Sequence, residues 1–385
     1  MQTEFQYALL LLRAVATTDG PAPDAVTGTD WSAIERLLGV RGLTATVAPV
    51  VETCDVPPAF RQHVVEQARL LRDRSTLFWM ETSRVLAELE RRRLDAIMLK
   101  GPALARTVYP TPDQRLSMDL DLLVPRDALD DSCEALTRLG YRPAATGRHV
   151  SFYEDHHFHL ILQHPSGAVV ELHWDLSRPR NYVRFDLAGF AQRARTIEID
   201  GIAIRVPSNA DQLLHAACQG LWHGFTDLRR VLDAALLIRA GVGRAELLVE
   251  TARRQGMSTP LWLLLDLQRK LIGVETPREL QDAVRPGRFV HRCLASLDVP
   301  AALARAGEST DARLKRLLIW LCAPQFSSAL AEVGHFLAPG EAEFLEEGYE
   351  PGDRPGGPQR VWRGLRRGVS LVRILGRLAW CLARA

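Results

Sequence analysis

The chain has 385 residues, 47% hydrophobic, 24% charged and 7% aromatic, which is ample for a sizeable core and excludes disordered, collagen-like and small disulfide-stapled classes. Its 48 basic and 46 acidic side chains leave a net charge of +2, without the basic excess of a protein that coats long nucleic acid, so that partner is not expected. Only Lys100, Lys270 and Lys315 are lysines among those basic residues, so a lysine at a special position stands out as a compact ammonium where arginine is the rule.

Cys54, Cys133, Cys218, Cys293, Cys322 and Cys381 show no C-x-x-C or zinc-like spacing and are expected as buried thiols of a reducing cytosol. The apolar run Tyr7 to Leu12 follows Glu4 without a basic start or a small-residue cleavage site, so no signal peptide is expected. No stretch reaches the roughly 18–20 uncharged residues of a membrane span. A cytoplasmic protein is the expectation.

Residues 1–93 read as a helical region, with Ile34, Leu37 and Leu38 on one face and Val64, Ala68, Leu71 and Phe78 recurring at helical spacing. Between 94 and 206 short apolar runs alternate with helical segments. Strands are predicted at Ala96–Leu99, Met118–Val124, His159–Leu162 and Val169–Trp174, and a helix at Arg126–Leu139 ended by Gly140. Asp200-Gly201 between two apolar runs predicts a hairpin over Ile197–Ile199 and Ile202–Val206. Residues 207–345 read as helical, capped by Ser208 or Asn209. The Gly/Pro-rich segment 346–358 reads as a linker, and 359–385, with seven arginines and no acid, as a basic amphipathic helix. That tail is a candidate contact for an anionic membrane or a protein partner, or a helix packed on its own body.

The chemistry concentrates in the middle region. Asp119 and Asp121 alternate with Leu120 and Leu122, so on a strand both carboxylates project from one face. Two acids on a central strand are costly unless a cation lies between them, and divalent metal ions such as Mg²⁺ meet that need. Lys100-Gly101-Pro102 stands where a strand ends and a helix begins; glycine allows close approach of a ligand, proline suits the first helical turn, and a helix start attracts anions. Glu171 adds a third carboxylate on a later apolar strand. Arg115 and Ser117 precede the acidic pair and are candidates for phosphate contact, with Arg115 equally readable as a charge partner of Asp113 or Asp119. His149, His156, His157, His159, His164 and His173 cluster in sequence and are expected to line a cleft rather than hold zinc. His215, His223, Asp227, Arg229 and Asp233 recur as if along one polar helix edge facing it.

A glycine-bearing strand-turn-helix, then an acidic pair on the next strand, then a lone acid on a later strand resembles the nucleotidyltransferase superfamily that includes DNA polymerase beta. Leu99-Lys100-Gly101, Arg115 ahead of Asp119-x-Asp121, His156-His157, Glu171-Leu172-His173-Trp174, His215, Leu228 and Asp233 more closely resemble the uncharacterised bacterial nucleotidyltransferase-like proteins, over roughly residues 60–270. The resemblance implies an α+β fold: a polymerase-beta-like core of mixed sheet with flanking helices, embedded in amino- and carboxy-terminal helical regions. It implies Asp119, Asp121 and Glu171 as catalytic metal ligands for two Mg²⁺ ions, with Mn²⁺ as an alternative, and Glu171 also as an aid to deprotonating the attacking hydroxyl. Lys100, Gly101, Arg115, Ser117, His157, His173, His215 and Asp233 follow as candidates around an NTP such as ATP. Where the superfamily has a small residue after its first glycine, Pro102 follows Gly101 here, and the Lys100 ammonium could supply the missing positive charge. The expected activity is transfer of NMP from an NTP to an unidentified hydroxyl or phosphate acceptor (small molecule, sugar, peptide or protein), with release of pyrophosphate. The alternative is a catalytically silent nucleotide- or metabolite-binding regulatory or scaffold protein of the same fold.

Overall fold

The computed structural model describes residues 2–17, 28–144, 157–177, 182–297, 299–305, 312–337, 371–373 and 376. The segment 346–358 lies outside the described residues, as does the tail apart from helical 371–373 and 376. The chain opens with helices α1 (Gln2–Ala16), α2 (Trp31–Val40), α3 (Thr44–Thr53) and α4 (Pro58–Arg91). Asp30 starts α2 by accepting from the Ala33 amide at 3.0 Å, and Pro58 starts α4 where a missing N–H costs nothing. At 34 residues, α4 is about 50 Å long. It therefore serves two cores: Phe60, Val64 and Ala68 pack among helices, whereas Trp79, Val85, Leu86 and Leu89 pack under the sheet.

The sheet region runs β1 (Ile97–Met98), α5 (Lys100–Thr107), β2 (Asp119–Leu123), α6 (Leu129–Arg138), β3 (Arg142–Pro143), β4 (His159–Gln163), β5 (Val169–His173), α7 (Leu187–Arg193), β6 (Arg195–Ile199) and β7 (Ile202–Val206). These seven strands form one mixed sheet in the order β3-β4-β5-β2-β1-β7-β6. At its centre β2 runs parallel to β5 and antiparallel to β1. Strand alternation sorts the faces. Leu120, Leu122, Leu160, Leu162, Val170 and Leu172 are buried beneath α4 and α6, leaving Asp119, Asp121, Glu171 and His173 on the other face. The hairpin β6–β7 closes on Asp200 and Gly201, at φ +51° and +81°, the left-handed pair that a two-residue turn of this hand requires.

Helices α8 (Asn209–Trp222), α9 (Leu228–Ala240), α10 (Ala245–Arg254) and α11 (Ser258–Leu271) follow, then α12 (Arg278–Ala283), α13 (Arg288–Ser296), α14 (Val299–Arg305), α15 (Ala312–Cys322) and α16 (Phe326–Leu337). Ser208 caps α8 by accepting from the Asp211 amide at 3.2 Å. The amino-terminal helices share one hydrophobic core with this later set, Leu9, Leu11 and Leu12 joining Leu213, Leu236 and Leu264. Arg13 Nε also donates to the Leu271 carbonyl of α11 at 2.9 Å. The amino-terminal helices and helices α8–α15 thus share one core. No described helix is long and apolar enough to cross a membrane. Cys54, Cys218, Cys293 and Cys322 are buried free thiols, and Cys133, expected buried, is half-exposed on α6.

Because Leu172 is fully buried at the centre of the sheet, Leu172→Ala is expected to lower stability by about 2–5 kcal/mol. Chemical denaturation followed by circular dichroism checks this.

Candidate functional site

The register of β2 and β5 places Asp121 directly beside Glu171, and Leu123 beside His173. Like charges in such positions repel, and Asp121 is almost wholly buried. The cation between them comes from the turn after β1. The Leu99 amide donates to the Asp121 carbonyl at 2.9 Å, so the chain leaves β1 alongside Asp121 and begins α5 at Lys100. There the backbone takes φ +51°, which costs a non-glycine residue on the order of 1 kcal/mol, a strain of the kind that collects at functional sites. The Lys100 ammonium bonds Asp121, lies 3.3 Å from Glu171 Oε2 and 3.5 Å from His173 Nε2.

His173 completes the cluster, its Nε2 being 2.9 Å from Asp121 Oδ1 and 3.3 Å from Glu171 Oε2. Its ring stacks at a tilt on His159, with centroids 5.0 Å apart, and burial, with His173 adding to it, pushes His159 down to about 3. Burial opposes the Lys100 charge, but Asp121 and Glu171 outweigh it and hold that ammonium above the usual lysine value. Burial would also raise Glu171, yet the His173 hydrogen bond and the Lys100 charge hold it well below the usual range. Asp119 stands in the opposite situation: burial, then Asp121 and Glu171, raise its pKa.

Asp121, Glu171 and His173 each offer a ligand atom within 4.8 Å of one another, and Asp119 stands beside that group rather than in it. Three carboxylates against one ammonium leave an excess of negative charge, which attracts a divalent cation. The donor set, mostly hard oxygen with one imidazole, suits Mn²⁺ at least as well as Mg²⁺. Next to these acids Ser117 packs against Gly101. A Cβ at Gly101 would collide with Ser117 Oγ and come 3.4 Å from Arg115 Nη1. Ser117 Oγ is buried without a hydrogen-bond partner among the described residues, as a group awaiting a polar ligand would be. The first amides of a helix have no partner within it, and Pro102 carries none, so the turn presents those of Lys100 and Gly101. The residues therefore fit a metal-assisted phosphate site.

Several expectations are corrected around it. Arg115 pairs with neither Asp113 nor Asp119. Its Nε and Nη2 meet both oxygens of buried Asp233 at 2.9 and 3.0 Å, while Asp113 pairs with Arg72 at 2.9 Å. The buried Tyr109 hydroxyl donates to Asp233 at 2.7 Å, and burial followed by Asp233 pushes its phenol well above the usual value. Asp233 thus joins α9 to the loop before β2. No single polar helix edge carries His215 to Asp233: the helix breaks at Gly224 and Phe225, at φ +70° and +53°, with the Phe225 ring packed on Gly220 and Asp227 capping α9 by accepting from the Arg229 amide. His215 is buried on α8 beside Gln219 and Phe185; burial first, then the charges of Lys100 and His173, hold it well below the usual histidine value. The histidines also divide. His159 and His173 line the site and His157 sits 6.1 Å from His159 by ring centroid, but His164 bonds Ser166 in a turn and packs on Tyr141 at the sheet edge. His149 and His156 lie outside the described residues. Tyr109 had no signal in the sequence, whereas the place of His173 two residues beyond Glu171 on one strand face was a usable one.

Adjacent carboxylates beside a glycine turn at a helix start have the chemistry of a site that handles phosphate with cations. Over residues 27–273 the chain matches the family described as uncharacterised nucleotidyltransferase. That is more than half of its length, and the chain belongs to this family. No curated protein matches it.

Two outcomes are expected. Asp233→Ala leaves Arg115 charged and buried, lowering stability by about 3–5 kcal/mol, measurable by denaturant titration. Asp119→Asn stabilises the metal-free protein at neutral pH, because a carboxyl whose pKa is raised on folding opposes folding when ionised. The gain disappears as pH falls below the ordinary aspartate value of 3.8, which thermal melts across pH would show.

Proposed function

We propose that the chain transfers a nucleoside monophosphate from an NTP to a hydroxyl or phosphate of an acceptor, releasing pyrophosphate. The observation that carries this reading is the convergence of Asp119, Asp121 and Glu171 beside the Gly101 turn, where Ser117 Oγ lacks a partner among the described residues. Asp121 and Glu171, with His173, would hold the divalent cation, and Asp119 stands close enough for its charge to be felt by both carboxylates. When bound, such a cation neutralises phosphate oxygens and polarises the phosphorus toward attack.

The chain's own residues supply positioning. The amides of Lys100 and Gly101 and the Ser117 hydroxyl offer donors to phosphate oxygens, the absence of a Cβ at Gly101 lets Ser117 Oγ lie against the turn, and the Lys100 ammonium is a mobile positive charge within reach. Arg115 serves indirectly, holding the loop that carries Ser117 against Asp233. Transfer of this type depends mainly on alignment and charge neutralisation, which such groups can provide.

One observation favours a second reading, a catalytically silent binding protein: the ammonium of Lys100 already sits between Asp121 and Glu171. Incubation with NTPs labelled at the α-phosphate, Mg²⁺ or Mn²⁺ and a panel of acceptors separates the two. Wild-type protein is expected to release pyrophosphate and label an acceptor, and Asp121→Asn to lose at least about 100-fold in rate. Equal pyrophosphate release by both would sink the enzymatic reading. Gly101→Ala, which drives a methyl group into Ser117 Oγ, is expected to weaken NTP binding about tenfold, as read by isothermal titration calorimetry.

A further inference from the structure

The Lys100 ammonium lies among the same three side chains that offer ligand atoms to a metal: bonded to Asp121, 3.3 Å from Glu171 Oε2 and 3.5 Å from His173 Nε2. Those ligand atoms all fall within 4.8 Å of one another. A divalent cation bound by oxygen at about 2.0–2.6 Å takes the volume that Nζ fills. Charge forbids sharing as firmly as space does, since an ammonium and a divalent ion in one buried cluster repel strongly.

From this we infer that Lys100 and the divalent cation are alternative occupants of one seat, so that metal binds only as the lysine side chain withdraws. The inference rests on the nucleotidyl-transfer reading for the identity of the metal's role. Lysine suits this device: its single compact charge sits on a flexible four-carbon stem, whereas arginine would offer a broad planar fork with several fixed donors. The backbone contributes as well. Its left-handed φ at Lys100 belongs to the turn from which the side chain reaches Asp121 and Glu171. A withdrawn ammonium finds its next partner in the phosphates of a nucleotide, so metal and nucleotide would each favour binding of the other.

The seated lysine also supplies the counter-charge that a cluster with so many acids needs in metal-free protein. Asp121 is almost fully buried, and without a counter-charge beside it the strand pair β2–β5 would carry two adjacent uncompensated carboxylates. Lys100 therefore holds the metal's place during folding and sets a threshold for its entry.

The test uses Mn²⁺ alone and full-length protein. If the seated form exceeds about nine-tenths of the population, Lys100→Met should bind Mn²⁺ at least about tenfold more tightly than wild type, read from the electron paramagnetic resonance signal of free Mn²⁺. Equal or weaker affinity in Lys100→Met overturns the proposal. A second measurement on wild type avoids dependence on the variant's folding: acetylation of Lys100 relative to Lys270, which is exposed and pairs with Asp266, quantified by peptide mass spectrometry. Mn²⁺ is expected to raise the relative rate several-fold as the ammonium is released, and an unchanged or slower rate overturns the proposal. If neither wild type nor Lys100→Met binds Mn²⁺, the nucleotidyl-transfer reading falls together with this one; tight and equal binding by both removes the displacement alone.

Discussion

Asp121 and Glu171 sit side by side on parallel neighbouring strands, and this repulsive contact at the centre of the sheet shapes everything around it. Neither acid can move away, because Leu120, Leu122, Val170 and Leu172 anchor the opposite face of the same strands in the core. A one-residue shift of either strand would exchange the two sets of side chains between core and site. The repulsion must be met from outside the strand pair. The Lys100 ammonium meets it here, with His173 Nε2 2.9 Å from Asp121 Oδ1, and Lys100 stands where the backbone turns left-handed.

The helical body supplies a second constraint. Arg115, Tyr109 and Asp233 form a buried polar contact with short bonds on both sides of the carboxylate. Such a contact is strongly directional, because each group would be costly if left unpaired. It fixes the loop that carries Ser117 relative to α9, and so holds Ser117 against Gly101. The long helix α4 performs the corresponding task on the apolar side, lending its first turns to the helical core and its last turns to the sheet. Site and scaffold are therefore held together by one polar and one apolar tie.

Much of this was legible beforehand. Period-two alternation exposed β2, β4 and β5 to within a residue or two of their bounds, and it identified Asp119, Asp121 and Glu171 as facing away from the core. The Asp200-Gly201 pair marked its hairpin because few residues other than glycine and aspartate or asparagine adopt those φ values. The scarcity of lysine pointed to Lys100, although toward a phosphate rather than toward Asp121 and Glu171. Other features had no local sign. Arg115 had acids nearby in sequence, Asp113 and Asp119, and its partner lies 118 residues away. The apparent polar helix edge from His215 to Asp233 followed helical spacing, yet the ring of Phe225 packing on Gly220 breaks it into two helices. His164 shares a stretch of sequence with His159 but sits past the end of β4, at a turn on the sheet edge.

What the sequence determined by itself is the pattern of faces: which side of each strand is apolar, where helices start, and that three carboxylates share a surface. These follow from backbone geometry, which repeats every two residues in a strand and every 3.6 in a helix, so neighbours along the chain suffice to reveal them. The tertiary structure alone decided who neutralises whom. Lys100 with Asp121 and Glu171, and Arg115 with Asp233, are pairings between segments brought together by sheet register and helix packing. Coulomb energy depends on distance and local dielectric rather than on sequence separation, and both quantities exist only once the chain is folded.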